Sequence, residues 1–332
     1  MSHSNAEKKT KRDAREGGKK KGSSESLLTV VIAFAANLAI AIAKSVAAVI
    51  TGSASMVAEA AHSWADAGNE ILLLIAERRS KRPPDRRHPL GYGKDAYIWS
   101  MFAAFGIFTA GAVVSIQHGI QSLLQPEAAT DYLVAYIVLG ISFVLEGISF
   151  VRAYIQAREN AHSRNAHTLE HVLESSNPTL RAVFAEDAAA LVGLVIAFAG
   201  ICLHQLTGDP LYDAVGSILV GVVLGVVAVV LISRNRAFLL GESIDEPTRQ
   251  AALRRLLERS DIERVTYLHI EFTGPGEVLL IAAVDLAGDA SEADVALLLR
   301  DIEREIIAEP AIGRAILTLS TPDEESLLPL PS

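Results

Sequence analysis

Six long apolar runs restrict the folds that this sequence can adopt. They are Leu27–Ile50, Ser55–Ala76, Ile98–Leu124, Tyr132–Tyr154, Leu180–Leu206 and Leu211–Ile232. Each approaches or exceeds the roughly 20 residues that a helix needs to cross the hydrocarbon core of a bilayer. The sequence therefore predicts a membrane protein with a bundle of six transmembrane helices over residues 27–240. The second run is the least apolar of the six.

The composition fits a chain that occupies both lipid and water. The 332 residues are 50% hydrophobic and 21% charged, and the mean hydropathy is +0.31. This chain is too apolar for an ordinary soluble protein and too charged to lie entirely in lipid. We therefore expect a multi-pass membrane protein with a separate soluble region.

The first 26 residues predict a disordered, basic cytoplasmic tail. Its bases are Lys8, Lys9, Lys11, Arg12, Arg15, Lys19, Lys20 and Lys21. A basic tail can bind nucleic acid, but one that leads directly into an apolar run is better explained as a flank held near anionic lipid. The bilayer is therefore an expected partner, and nucleic acid is not.

Basic residues also predict the orientation of the chain. They crowd the connection between the second and third runs, namely Arg78, Arg79, Lys81, Arg82, Arg86, Arg87 and Lys94. The connections at 51–54, 125–130 and 207–210 contain no Lys or Arg. Because basic connections stay in the cytoplasm, both termini are expected there. We expect a bacterial plasma membrane, with an organellar membrane as the alternative.

From about Gly241 the pattern becomes that of a soluble domain. Helical and alternating segments follow in the order αββαβ, at Pro247–Ser260, Arg264–Phe272, Glu277–Leu286, Ser291–Ala308 and Ala315–Ser320. This order predicts a cytoplasmic α+β domain of ferredoxin-like type over 241–321. The proline-containing residues 322–332 are predicted to be a flexible tail.

The second apolar run carries His62 and Asp66 near its middle. Residues four apart lie on the same helix face, about 6 Å apart along the axis, so both side chains can reach one ion. A charge at the centre of a bilayer costs at least roughly 2.5 kcal/mol. Imidazole and carboxylate suit divalent metals such as Zn²⁺, Mn²⁺, Fe²⁺ and Co²⁺. The alternative is that the pair merely hydrogen-bonds a neighbouring helix.

The fifth run adds Glu186 and Asp187, two to three turns inside a helix that is expected to begin at Pro178. Adjacent residues diverge by about 100° around a helix, so the two acids cannot face the same way. One is expected to meet the second span, and the other needs a partner such as Lys44 or a proton. Acids at similar depth on two spans favour a transmembrane metal site.

Other polar residues in the runs have two interpretations each. Asn37 is either an accessory metal ligand or an interhelical hydrogen-bonding group. Lys44 is a counter-ion or a base that reaches the membrane surface. Glu146 is an accessory proton site or a salt-bridge partner, and Asp213 is expected to stabilise a helix N-terminus. Cys202, the single cysteine, excludes an internal disulfide.

The sequence resembles the cation diffusion facilitators in several ordered motifs. "TGSASMVAEAAHSWADAGNEILLL" leads into "RRHPLGYGK", and "LYDAVGSILVGVVLG" runs to "LLGESID". The resemblance covers roughly Leu27 to Ser320, and the Glu186–Asp187 pair is similar to the branch that includes a mitochondrial zinc exporter. It implies a six-span metal/proton antiporter, a homodimer and a cytoplasmic ferredoxin-like domain.

The resemblance also implies the metal ligands, and here the sequence departs from the family. The usual site has two residues four apart on the second span and two more on the fifth. His62 and Asp66 match the first pair and Asp187 matches the second, but Val183 replaces its partner and cannot bind metal. Glu186, Asn37 or water would complete the shell. The loss of one imidazole moves the preference towards Mn²⁺ or Fe²⁺ without excluding Zn²⁺.

The expected function is efflux of a divalent transition metal by proton antiport. His62 suits the exchange, because an imidazole with an ordinary pKa of about 6.5 lets protons and metal compete near neutral pH. The alternative is a membrane metal sensor that does not transport. An enzyme is not expected, because no HExxH motif is present. The transported metal is the expected ligand, without an organic cofactor.

Overall fold

The computed structural model describes residues 34–125, 131–162, 172–288 and 290–330. The predicted tail 1–26 and the first residues of the first apolar run lie outside these ranges. Helices α1 to α6 are Phe34–Thr51, Ala54–Ser80, Asp95–Leu124, Tyr132–His162, Pro178–Thr207 and Leu211–Leu239. Each coincides with one predicted run.

Five helices of the described chain are long and apolar enough to cross a membrane, namely α1, α3, α4, α5 and α6. Their outward faces carry large apolar side chains. On α4 these include Leu133, Ile137, Ile141, Val144, Ile148, Val151 and Ile155. Such a stripe suits a helix that faces lipid on one side. The predicted second span is a helix of 27 residues, but its ionisable side chains make it less apolar than the others.

Two compact units divide the chain. The first unit comprises the residues up to Glu70, Thr109–Glu146 and Ala190–Gly225, and the second comprises Ile71–Phe108, Gly147–Ala189 and the chain from Val226 onward. Helices α2 to α6 each contribute one end to each unit.

Small residues allow the helices of the first unit to pack closely against one another. A Cβ on Gly119 of α3 would lie 2.8 Å from the Ala214 carbonyl oxygen of α6, and one on Gly221 of α6 would lie 2.9 Å from that of Ala112. Association of helices in lipid gains little from the hydrophobic effect and depends on close backbone approach, which such residues allow. Ala112 lies in a π-helical segment of α3, Ile107–Val113.

The C-terminal part of the second unit is a small sheet domain. Its elements are α7 (Glu246–Leu257), β1 (Ile262–Gly274), β2 (Glu277–Leu286), α8 (Glu292–Ile307) and β3 (Ile312–Leu319). The strand order is β1-β2-β3, with β1 antiparallel and β3 parallel to β2. The predicted order αββαβ is confirmed. The core is built from larger side chains than the helical bundle, including Leu253, Val265, Leu280, Val284 and Ile302.

Residues 322–330, which the sequence predicts to be flexible, lie along this domain. The Leu327 backbone N–H donates to the Val265 carbonyl at 2.7 Å, and the Leu330 N–H donates to the Gln250 side chain at 3.0 Å. Leu327 also packs against the domain core. Apolar side chains in the tail explain this attachment, since they bury surface that a polar tail would leave in water.

The β1–β2 hairpin contacts two connections of the second unit. Gly93, just before α3, packs so closely on Gly274 that a Cβ at Gly93 would lie 2.5 Å from the Thr273 carbonyl oxygen. The Gly276 N–H donates to Ser176 Oγ at 3.0 Å, just before α5. The hairpin therefore fastens the sheet domain to the starts of two apolar helices.

Candidate metal centre and the buried charges around it

The second-span pair lies in the first unit, on the face of α2 that the spacing predicts. His62 Nε2 is 3.4 Å from Asp66 Oδ2, and His62 is only 1% exposed. Within the ranges that the structure describes, neither ring nitrogen of His62 makes a hydrogen bond. A buried imidazole without hydrogen bonds leaves a nitrogen lone pair for a cation, so the residue suits a metal ligand.

The fifth-span acids lie in the second unit. Glu186 is buried, and Asp187 Oδ2 accepts a hydrogen bond of 2.9 Å from Ser149 Oγ on α4. Val183, four residues before Asp187, is 36% exposed and offers no ligand. In the part of the chain covered by the structure, no group of three or more His, Cys, Asp or Glu side chains is arranged to hold a metal ion. The predicted ligands that the structure brings together are His62 and Asp66.

Lys44 is the centre of a buried cluster that we call the charge triad, formed by Lys44, Glu59 and Glu146. Lys44 Nζ donates to Glu59 Oε2 at 2.9 Å and to Glu146 Oε1 at 2.8 Å. Lys44 is a counter-ion; the alternative, a base that reaches the membrane surface, is wrong because its side chain is fully buried. Glu146 forms the salt bridge that was one of its two interpretations, while the other, a proton site, stays a prediction.

Glu59 is the member of the triad that the sequence analysis did not single out. It lies three residues before His62, on the preceding turn of the same helix face. The sequence does contain a signal for this pairing. An acid inside a long apolar run requires a buried cation, and Lys44 is the only Lys or Arg in the first two apolar runs.

Asn37 and Asp213 both serve to join helices. Asn37 Nδ2 donates to Glu70 Oε1 at 2.6 Å, which is the interhelical hydrogen bond named as its alternative role. Asp213 stabilises a helix N-terminus, but that of α2 and not only its own: its carboxylate accepts from Ser53 Oγ and from the N–H groups of Ala54 and Ser55. A carboxylate fits there because the first N–H groups of a helix have no partner within it.

Arg181 is a second buried base that the sequence analysis missed. It donates to the Ser175 carbonyl and, at 2.6 Å, to Asn235 Oδ1, and its guanidinium lies 4.7 Å from the centre of the Phe238 ring. Asn235 in turn donates to Ser100 Oγ at 3.0 Å. This network joins α3, α5 and α6 within the second unit.

The connection between α2 and α3 is organised by Asp85. Its carboxylate accepts from the Tyr92 hydroxyl and from the His88 N–H, each at 2.7 Å. The hydrogen bond from Tyr92 is the largest of the causes that lower the pKa of Asp85 to about 2. Gly91 adopts a φ of +83°, which a glycine tolerates without strain. The motif "RRHPLGYGK" therefore builds a turn around Asp85, and its Gly93 contacts the β1–β2 hairpin.

Comparison with known proteins decides the family. Residues 30–240 match the model of the cation efflux transmembrane domain. The chain belongs to the cation efflux family. The resemblance to cation diffusion facilitators is thereby confirmed, and the multi-pass membrane character agrees with the apolar helices.

Relatives of this cation efflux protein include transporters from several organisms. It is 36% identical to Metal tolerance protein C4 of Arabidopsis thaliana, over 70% of this chain and 51% of that protein. It is 38% identical to the mitochondrial Proton-coupled zinc antiporter SLC30A9 of Homo sapiens, over 74% of this chain and 43% of that protein. The chain thus spans about half the length of these relatives. A Magnetosome protein MamB, from Paramagnetospirillum magneticum, is 20% identical over 73% of this chain and 76% of that protein.

These relatives bear on the expected location and metal. The antiporters among them are named mitochondrial and zinc-transporting. The expectation of a bacterial plasma membrane receives no support from them. A preference for Mn²⁺ or Fe²⁺ over Zn²⁺ receives none either.

Proposed function

We propose that this cation efflux protein exports Zn²⁺ across a membrane in exchange for protons. The observation that carries the proposal is the pair of buried His62 and partly exposed Asp66 within the matched transmembrane domain. Both imidazole nitrogens of His62 lack hydrogen bonds in the described chain. The printed name of the human relative, a proton-coupled zinc antiporter, supports Zn²⁺ as the cargo. Mn²⁺, Fe²⁺ and Co²⁺ are the competing cargoes to test.

The proposed ligands are His62, Asp66 and Asp187, with Glu186 or Asn37 completing the shell. Asp187 is included because the family resemblance assigns it that place, and Glu186 because it is a buried acid beside it. Asn37 is the weaker candidate, since its amide already donates to Glu70. Deprotonated ligands bind the metal on the cytoplasmic side, and protons displace it on the other side.

We propose that α2 is also a transmembrane span, which together with α1 and α3 to α6 gives six spans. By the positive-inside rule, the basic residues at the C-terminal end of α2 and in its connection to α3 indicate the cytoplasmic side. Both termini and the ferredoxin-like domain at 241–321 would lie on that same side. A homodimer is proposed from the family resemblance, with the sheet domain contributing to its interface. Microscopy of a tagged copy of the protein in cells would identify the membrane in which it resides.

The test is metal flux into proteoliposomes that contain a pH-sensitive dye. The parent is compared with Asp66→Asn, and with Glu77→Gln as a matched control at an exposed position on the same helix. We expect Zn²⁺-dependent proton movement in the parent and in the control, and its loss in Asp66→Asn. Saturable Zn²⁺ binding without flux of any of the four metals would contradict transport and favour the metal sensor.

A further inference from the structure

The charge triad is complete within the first unit and holds more negative than positive charge. Lys44, Glu59 and Glu146 lie on α1, α2 and α4, and their side chains are 0%, 0% and 15% exposed. With all three ionised, the triad carries a net charge of −1. A buried charge without a counter-charge is costly, because the surroundings cannot solvate it as water does.

Each carboxylate of the triad has one oxygen that is available for a proton. Lys44 engages one oxygen of each acid, Glu59 Oε2 and Glu146 Oε1. Among the described residues, Glu59 Oε1 and Glu146 Oε2 are buried and make no hydrogen bond. A proton on either oxygen would bring the net charge of the triad to zero.

Among the described residues of the first unit, Lys44 is the only Lys or Arg. Lys44 is the only charged residue on the described α1. Residues 132–146, the part of α4 that lies in this unit, contain one charged residue, Glu146. On α5, Gly193 lies next to Glu59, since a Cβ at this glycine would be 2.7 Å from Glu59 Oε1. No charged residue follows Gly193 on α5 before Cys202. On α2, His62 follows Glu59 by one turn on the same face, with Asp66 and Glu70 beyond it.

We infer that the charge triad is a proton-binding site distinct from the metal ligands, and that it carries one of the exchanged protons. The transport part of this inference rests on the proposed function. The balance is simple: Lys⁺, Glu⁻ and Glu⁻ take up one H⁺ to give Lys⁺, Glu⁻ and GluH, and release it unchanged. A dication at His62, one turn away, favours the unprotonated triad, and loss of the metal favours the protonated one. Metal and proton therefore exclude each other without sharing a ligand.

The experiment measures the protons released per Zn²⁺ bound by the full chain in detergent. Calorimetry in buffers of different ionisation enthalpy gives this number, and the slope of log Kd against pH gives it independently. Either Glu146→Gln or Glu59→Gln leaves Lys⁺ with one Glu⁻, a neutral pair that needs no proton. We expect each variant to release about one proton fewer than the parent, with a correspondingly shallower slope. Glu77→Gln is the control and is expected to match the parent.

An unchanged proton count in both variants would overturn the inference. Infrared difference spectra of the parent protein test it without mutation: the band of protonated carboxyl groups is expected to lose intensity on Zn²⁺ addition. Absence of that band from the metal-free parent would also overturn it. If the parent releases these protons but moves no metal in liposomes, the proposed transport fails while the proton site stands. A transporting parent with an unchanged count in both variants removes the triad alone.

Discussion

Ion pairs of the helical bundle and of the sheet domain both join a basic side chain to a glutamate, but in opposite surroundings. In the bundle, Lys44 and Glu59 are fully buried. In the sheet domain, Arg249 and Glu246 are 30% and 50% exposed at a separation of 2.8 Å. An exposed pair contributes about 0 to 1 kcal/mol, whereas breaking a buried pair costs about 3 to 5 kcal/mol. Ion pairs of similar length therefore differ in their contribution to stability. The exposed pair of the sheet domain contributes little, whereas the buried triad constrains the charge state of the bundle.

The two regions also differ in how their cores are packed. The sheet domain buries Leu, Ile and Val side chains removed from water, so the hydrophobic effect stabilises it. The bundle core around Ala47, Met56, Leu139 and Ala197 is richer in small residues. Because lipid is as apolar as these side chains, the bundle relies on close contact and polar links. A substitution at a close contact and one at a buried charge should therefore be the most damaging.

The largest effect is expected from Lys44→Met. It leaves two buried carboxylates without their cation, at a cost of about 3 to 5 kcal/mol. Lys81→Met is the matched control, since Lys81 pairs with Glu77 at 2.6 Å but is 72% exposed; its cost is expected to be below about 1 kcal/mol. Thermal unfolding in detergent, followed by light scattering and intrinsic fluorescence, measures both. Equal melting temperatures for the two variants would erase the contrast between buried and exposed pairs.

A smaller effect is expected from Gly93→Ala, which tests the contact between the hairpin and the connection before α3. The new Cβ would meet backbone atoms of Thr273 and Gly274 that cannot move alone. We expect a loss of about 1 to 3 kcal/mol in unfolding free energy. Gly140→Ala is the control, because its Cβ would meet nothing within 4 Å in the middle of α4. A helical Gly→Ala change in open space is expected to stabilise by about 0.5 to 1 kcal/mol. If Gly93→Ala is as stable as the control, the close approach is not required.

The smallest effect concerns Glu246 at the start of α7. Hydrogen bonds from Arg249, the largest cause, and from Gln250 lower the pKa of Glu246 to about 2. Because the folded-state pKa lies below the ordinary value, the stabilisation is present above the ordinary value and lost as the pH falls towards 2. Arg249→Ala is expected to raise the pKa of Glu246 while leaving the midpoint of thermal unfolding at pH 7 nearly unchanged. Carbon-13 NMR titration of the full chain checks the shift; an unchanged pKa would remove Arg249 as its cause.

Local pattern in the sequence was sufficient for much of this molecule. Run length and apolarity located α1 and α3 to α6, and the spacing of four placed His62 and Asp66 on one face of α2. Alternation and turn residues gave the order αββαβ, with β2 at Glu277–Leu286 as predicted. These features depend on neighbouring residues and on helix and strand periodicity, which every short stretch carries with it.

Tertiary structure decided which partner each polar residue has. The sequence offered Lys44 as a partner for Glu186 or Asp187, but the fold gives it Glu59 and Glu146, of which Glu146 is 102 residues away. It offered Asp213 as an acid that stabilises a helix N-terminus, and the fold also sets its carboxylate at the N-terminus of α2, about 160 residues earlier in the chain. Periodicity fixes the face on which a side chain lies. The side chain that meets it depends on how distant helices pack, and no local pattern contains that information.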